Sequence, residues 1–168
     1  MDDIFSKPPS TYKLEDFRLW RLVLSPPQWR SCNLPVRLAW RSVRFKRANA
    51  SQVPNNARGV YTFVVKPGIA NHPSCAYLMY VGKAERQVLR DRFSQYFAEK
   101  DKGETSRRPH VTELLVKWQD FLWFYYAKIS DATKIKRVED ELLAAYLPPS
   151  NRAFPSRIRR AVAKLFAH

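Results

Sequence analysis

Gly59-Val60-Tyr61-Thr62-Phe63-Val64-Val65 and Ala76-Tyr77-Leu78-Met79-Tyr80-Val81 are two short runs rich in β-branched and aromatic residues. Between them stands Lys66 to Ser74, which carries Pro67, Gly68, Asn71 and Pro73. Runs of this composition read as strands, and the proline- and glycine-bearing stretch between them reads as a loop. The pair is therefore expected to form a long-looped antiparallel hairpin.

Outward from the hairpin the periodicity changes. Val88, Leu89, Phe93 and Phe97 recur at helical spacing, so Gln87 to about Glu99 reads as a helix. A charged loop with Gly103 follows, then a second helix from Pro109 to Lys117 with proline near its first turn. Asp120 to Ile129 reads as a third strand. Thr133 to Leu147 reads as a helix stopped by Pro148-Pro149, and Ser156 to Phe166 as a short basic amphipathic helix. Residues 1–57 differ from the rest and are read as a basic extension containing Pro and Trp. Residues 58–152 form the central domain and 153–168 a basic C-terminal helix. Within the extension, Val36 to Trp40 alternates as a strand does. Arg41 to Arg47 continues with shifted phase, which would suit a bulge and would gather basic side chains on one side and aromatics on the other. That stretch reads either as a nucleic-acid contact with aromatic stacking or as an edge strand with a solvated basic face. Asn49 to Asn56 reads as a polar connector.

The 168 residues carry 30 Lys and Arg against 15 Asp and Glu, a formal charge of +15. A chain so basic is expected to meet a polyanion, nucleic acid before an acidic membrane surface. Cys32 and Cys75 stand far apart in no metal-binding spacing and are expected to be reduced, structural thiols. His72, His110 and His168 are scattered, which argues against a zinc centre. The strongest apolar stretch, Phe121 to Ala127, is too short to cross a bilayer, and no secretory segment follows Met1. The expectation is a cytoplasmic protein with no membrane partner.

Gly59-Val60-Tyr61 and Tyr80-Val81-Gly82 resemble the two tripeptides of the GIY-YIG nucleases. Three further matches follow in family order. Leu89-Arg90-Asp91-Arg92-Phe93-Ser94-Gln95-Tyr96 resembles the helix bearing the family's arginine. Glu139 resembles its metal-binding glutamate, and Asn151 follows twelve positions later with Pro148 between them. Lys83, Tyr96 and the Glu139-to-Asn151 spacing are similar to the branch typified by the N-terminal domain of the bacterial excision-repair incision nuclease. The resemblance covers about residues 58 to 152. It implies an α+β fold, a small, mainly antiparallel three-stranded sheet flanked by helices.

The resemblance also implies a chemistry. It makes Tyr61, Tyr80, Lys83, Arg92, Tyr96, Glu139 and Asn151 the catalytic set, and Glu139 the ligand of one Mg²⁺ or Mn²⁺. Gly82, Arg90 and Arg152 would lie against substrate. Phosphodiester hydrolysis needs an activated water, charge relief on the phosphoryl oxygens and help for the leaving oxygen. A carboxylate suits a hard divalent ion, and a permanently charged, forked guanidinium suits a charged transition state. Tyr61 would be the general base. A free tyrosine has a pKa of about 10, so nearby cations such as Lys83 and Arg92 would have to lower it. Arg90 is the alternative to Arg92, which is favoured because Tyr96 lies one turn on along the same face. Glu141 is the alternative to Glu139. The basic tail with Arg152, Arg157, Arg159, Arg160 and Lys164 either grips nucleic acid or is a docked helix with a solvated face.

The implied function is single-metal endonucleolytic cleavage of DNA. A non-cleaving nucleic-acid-binding module on the same scaffold and an RNA-directed nuclease or toxin stand as alternatives. All three share one consequence: affinity for nucleic acid should fall steeply with salt. An interface with six or more phosphate contacts should lose on the order of 10³-fold between ~50 and ~200 mM salt. Fluorescence anisotropy with a labelled oligonucleotide measures this, and a nearly salt-independent affinity would count against a phosphate-dominated interface.

Overall fold

In the computed structural model, residues 22–69, 72 and 74–166 are described. The hairpin forms as the composition requires. Strand β2, Gly59–Val65, pairs antiparallel with β3, Tyr77–Ala84, across the long loop. Strand β4, Leu122–Lys128, pairs antiparallel with the other side of β2. The sheet holds four strands rather than three, in the order β1-β4-β2-β3. The added strand is β1, Trp40–Arg44, which lies antiparallel on β4 in unbroken register from Trp40 opposite Ala127 to Arg44 opposite Trp123. The expected bulge in this stretch is therefore absent, and the strand starts at Trp40 rather than Val36. The register break lies instead in the hairpin, between Phe63 and Val64.

Helices cover both faces of the sheet. Helix α1 is a single turn and a half, Pro26–Ser31; α2 is Leu89–Asp101 and α3 Pro109–Lys117. Helix α4 is Ala132–Tyr146 and α5 Ser156–Phe166. Every residue of β2 is buried, because its side chains alternate between two cores. Tyr61, Phe63 and Val65 enter one core with Phe93, Phe97, Leu114 and Phe124, under α2 and α3. Val60, Val81 and Ala127 enter the other with Ile135, Val138, Leu142 and Ile158, under α4 and α5. The first core is aromatic: Phe45 stacks on Phe97 at 4.3 Å, and Tyr61 stacks on Phe124 at 5.0 Å.

The N-terminal segment supplies part of that first core. Val43 and Phe45 point inward while Arg41 and Arg44 stay exposed, and Val53 is fully buried. The expected connector contains a 3₁₀ helix, Arg47–Gln52, which turns the chain so that Val53 reaches the core. Arg90 secures this turn: its Nε donates to the Val53 carbonyl at 2.7 Å and its Nη2 to the Ser51 carbonyl at 2.9 Å.

Helix α4 starts at Asp131, whose side chain accepts from the Thr133 N–H at 3.0 Å, a standard N-cap. It ends at Leu147, whose φ of 46° lies in the left-handed region. A buried non-glycine residue seldom adopts this conformation. Here it redirects the chain, through Pro148 and Pro149, toward β3. Two contacts pin α4 to its surroundings. Trp29 of α1 donates from its indole to the Ala145 carbonyl at 2.8 Å. Glu141 accepts from the Asn33 N–H at 3.1 Å and from Arg157 at 2.7 Å.

Glu141 is thus a structural carboxylate. The hydrogen bond from Arg157 holds its carboxyl below the usual range, against its burial. Its folded pKa is depressed, so its stabilisation is fully present above the unfolded value and lost as pH falls through the folded one. Glu141→Gln should cost on the order of 1 kcal/mol near neutral pH. The gap from wild type should close as the pH drops below the ordinary carboxylate range. Urea midpoints at both pH values check this; an unchanged gap at low pH would be inconsistent with a charge-dependent tie.

A candidate active-site cleft at the free edge of β3

Strands β1 and β3 are the two sheet edges, and the candidate residues gather at β3. Tyr61 and Gly82 face each other across the hairpin, as do Phe63 and Tyr80. These four side-chain positions therefore share the α2 face of the sheet. Lys83, opposite Val60, projects to the α4 face. A cleft of about 430 Å³ opens between them, lined by Tyr61, Tyr80, Gly82 and Lys83 from the hairpin, Arg92 from α2, Glu139 from α4, and the segment Glu85 to Gln87.

Gly82 is required by the close approach of Tyr61. A Cβ at residue 82 would stand 2.4 Å from the Tyr61 hydroxyl oxygen. At the start of β2, a Cβ on Gly59 would lie 2.0 Å from the Ala127 carbonyl oxygen. Both tripeptide glycines thus admit a neighbour that any side chain would displace.

Three tyrosines interlock behind the cleft. The hydroxyls of Tyr61 and Tyr96 are 2.7 Å apart. Arg92 donates from Nε to the Tyr61 hydroxyl at 2.9 Å and more weakly to Tyr96 at 3.4 Å, with its Cζ 5.0 Å from the Tyr96 ring centroid. Tyr80 instead accepts from Arg108, at 2.7 Å. Burial pushes the hydroxyl pKa of all three tyrosines well above the ordinary value, despite the opposing guanidinium groups. This differs from the expectation that neighbouring cations would make Tyr61 more acidic. Lys83 does not touch it, and one arginine does not offset complete desolvation.

Glu139 is half-buried and faces the Lys83 ammonium at 3.5 Å; Lys83 also meets Glu85 at 2.8 Å. Burial raises the Glu139 carboxyl above its usual range, more than Lys83 and Lys136 lower it. Its alternative, Glu141, lines neither the cleft nor its neighbour and is held by Arg157 and Asn33. Arg90 likewise lies outside the cleft, engaged with the carbonyls of Ser51 and Val53.

Asn151 plays a backbone's part. Its Oδ1 accepts from the Val81 N–H at 2.9 Å and its Nδ2 donates to the Val81 carbonyl at 2.8 Å. The Ser150 N–H adds a bond to the Met79 carbonyl at 3.0 Å. These contacts satisfy the open edge of β3 where the tripeptide sits. Asn151 is therefore a positioning residue, and Arg152 lines an adjoining cavity.

Arg108 is the site residue that the sequence reading passed over. It stood in a charged loop, with no spacing relative to Tyr80 to mark it. The available signal was the Arg107-Arg108-Pro109 junction, where a basic residue is fixed at the head of a helix.

The four-stranded α+β scaffold, covered by helices on both faces, thus carries a polar, cation-bearing cleft at its β3 edge. In comparisons with family models, curated proteins and solved structures, no match to the chain was found.

A substitution at the close approach tests this geometry. Gly82→Ala should destabilise the fold by about 1–3 kcal/mol through overpacking against Tyr61. Much of that cost should vanish in a Tyr61→Leu background, because the clashing ring atoms are gone. Additive effects in this double-mutant cycle, read by chemical denaturation, would contradict the contact.

Proposed function

We propose that this chain is a metal-dependent endonuclease of the GIY-YIG type, hydrolysing phosphodiester bonds of nucleic acid, with DNA as the first substrate. The observation carrying the reading is the convergence of Tyr61, Tyr80, Lys83, Arg92 and Glu139 in one cleft. They come from four elements, β2, β3, α2 and α4, and are the residues to which the resemblance to the GIY-YIG nucleases points. The excess positive charge supports a polyanionic substrate.

The donor set fits a hard divalent ion. Among the described residues no three His, Cys, Asp or Glu side chains cluster. An ion here would rest on Glu139 and water, as Mg²⁺ or Mn²⁺ tolerates. Lys83 can yield Glu139 because Glu85 keeps it paired, at 2.8 Å. Such an ion supplies charge neutralisation on the phosphoryl and leaving oxygens.

The chain's own groups divide the remaining work. Arg92 faces the cleft with a half-buried guanidinium and stabilises negative charge as it develops on the phosphate. Tyr80 keeps its proton because burial disfavours its phenolate, against the opposing pull of Arg108. Its oxygen accepts from Arg108, and its O–H can donate toward a phosphoryl oxygen. Tyr61 can accept a proton from water only when its phenolate is stabilised, and Arg92 at 2.9 Å is the group placed to do so. Because burial raises the Tyr61 pKa, the deprotonated fraction, and with it the rate, should still be climbing at pH ~10, the ordinary tyrosine value.

Cleavage of supercoiled plasmid, single-stranded DNA and RNA, with Mg²⁺, Mn²⁺ or EDTA, tests the reading. Glu139→Gln should lower the rate by on the order of 10²-fold or more while binding survives or tightens, since a negative charge near phosphate is gone. Arg92→Ala should abolish cleavage and also weaken binding. Tyr61→Phe should leave binding intact and flatten the rise of rate with pH. Wild-type cleavage by Glu139→Gln would remove it as the ligand. A protein that binds all three substrates and cuts none with either ion would favour a binding module on this scaffold.

A further inference from the structure

A larger cavity, of about 660 Å³, adjoins the cleft and shares Tyr80, Lys83 and Glu139 with it. Its other walls are the start of α3, one face of α4 and the segment leading into α5. The cations lining it fall into two groups. Lys83 and Lys136 face carboxylates: Glu139 and Glu85 for the first, Asp140 for the second. Arg108, Arg152 and Arg159 form no ion pair with a carboxylate among the described residues, although Arg108 lies near enough to Glu99 to help lower its carboxyl. Arg108, half-buried, makes its hydrogen bond to the neutral Tyr80 hydroxyl. Arg159 donates to the Phe154 carbonyl at 3.4 Å.

His110 lines the same wall and reports the local field. Burial, with Arg152 and Arg108 beside it, holds its imidazole below the ordinary value. Three guanidinium groups around one concave space repel each other until an anion enters, and low-dielectric walls strengthen the field there. Guanidinium forks match a phosphate's oxygens bidentately. Arg152 and Arg159 are exposed, but Arg108 is half-buried and held at the cavity wall by Tyr80, which is also a wall of the cleft.

We infer that this cavity is a second phosphate subsite, in which Arg108, Arg152 and Arg159 hold a phosphodiester neighbouring the one cleaved. The inference rests on the nuclease reading for the identity of the strand, since one chain of nucleic acid would cross Tyr80, Lys83 and Glu139 from cleft to cavity. It adds a requirement to that reading: a substrate must extend past the reacting phosphate on the cavity side.

The test uses the full chain, EDTA to prevent cutting, and a fluorescent single-stranded DNA oligonucleotide. Arg152→Ala/Arg159→Ala should weaken binding by about 10-fold or more at low salt. It should lower the slope of log K against log salt by about one unit, as expected for losing one phosphate contact. Arg152→Lys/Arg159→Lys should restore the slope. Lys102→Ala/Lys117→Ala, which removes the same charge outside the cavity, should leave the slope within experimental error. Melting curves show whether each variant is folded; if the alanine pair unfolds, the lysine pair against wild type still reads the loss of forked contacts as weaker binding at unchanged slope. A folded alanine variant with wild-type affinity and slope overturns the subsite, as does an equal slope change in the Lys102/Lys117 variant. Plasmid cleavage by the wild type with Mg²⁺ is scored separately. Cleavage without the arginine effect sinks the subsite and keeps the nuclease, whereas the arginine effect without cleavage with either ion keeps a phosphate site and sinks the nuclease.

Discussion

One side chain closes the edge on which the site is built. A strand at a sheet edge presents unpaired N–H and carbonyl groups, an energetic and aggregation liability. At Val81, between Tyr80 and Gly82, the Asn151 carboxamide meets both groups with two hydrogen bonds. No additional strand is needed, so the rim beside Tyr80 and Lys83 stays open to solvent. The same bonds hold the segment after α4 against β3. This sets Glu139 opposite Lys83 and places Arg152 next to Arg108 and His110. Losing Asn151 would free the edge and both cavity walls together.

The tyrosine cluster illustrates a second constraint. Aromatic burial supplies much of the first core, through contacts such as Tyr61 on Phe124 and Phe63 against Tyr96 at 4.8 Å. The same burial opposes ionisation of the hydroxyls. Arg92 and Arg108 divide the cluster between them, one bonded to Tyr61 and the other to Tyr80. Packing and ionisation therefore draw on the same rings in opposite directions. The balance is set by two guanidinium groups at its margin.

Charge is distributed with equal economy. Arg41 and Arg44 lie exposed on β1, at the opposite edge of the sheet from the cleft. Three inter-strand spacings, about 14 Å in all, separate the two edges. The β1 cations therefore stand away from the cleft, and Arg44 is engaged with the Asp120 carbonyl. Arginines around the β3 edge instead converge on concave space, where a field is focused.

Much of this protein was legible in the chain itself, because local patterns carried it. The β2–β3 hairpin, α3 and α5 follow from runs whose periodicity and flanking prolines leave little choice. The residues gathered at the cleft were legible through their resemblance to the motifs of the GIY-YIG nucleases, with Gly59 and Gly82 standing where only glycine fits. The fourth strand was not counted, because a short basic stretch shows no partner until β4 offers an edge. Arg90 against Arg92, and Glu141 against Glu139, differ by two positions on a helix. Two positions rotate a side chain by more than half a turn, and only packing decides which way it faces. The packed structure sent Arg90 to the carbonyls of Ser51 and Val53, and Glu141 to Arg157. It also brought Arg108 to Tyr80 and buried the tyrosines deeply enough to raise their hydroxyl pKa values. Distance in space and exclusion of water arise only when distant segments meet, and no reading along the chain contains them.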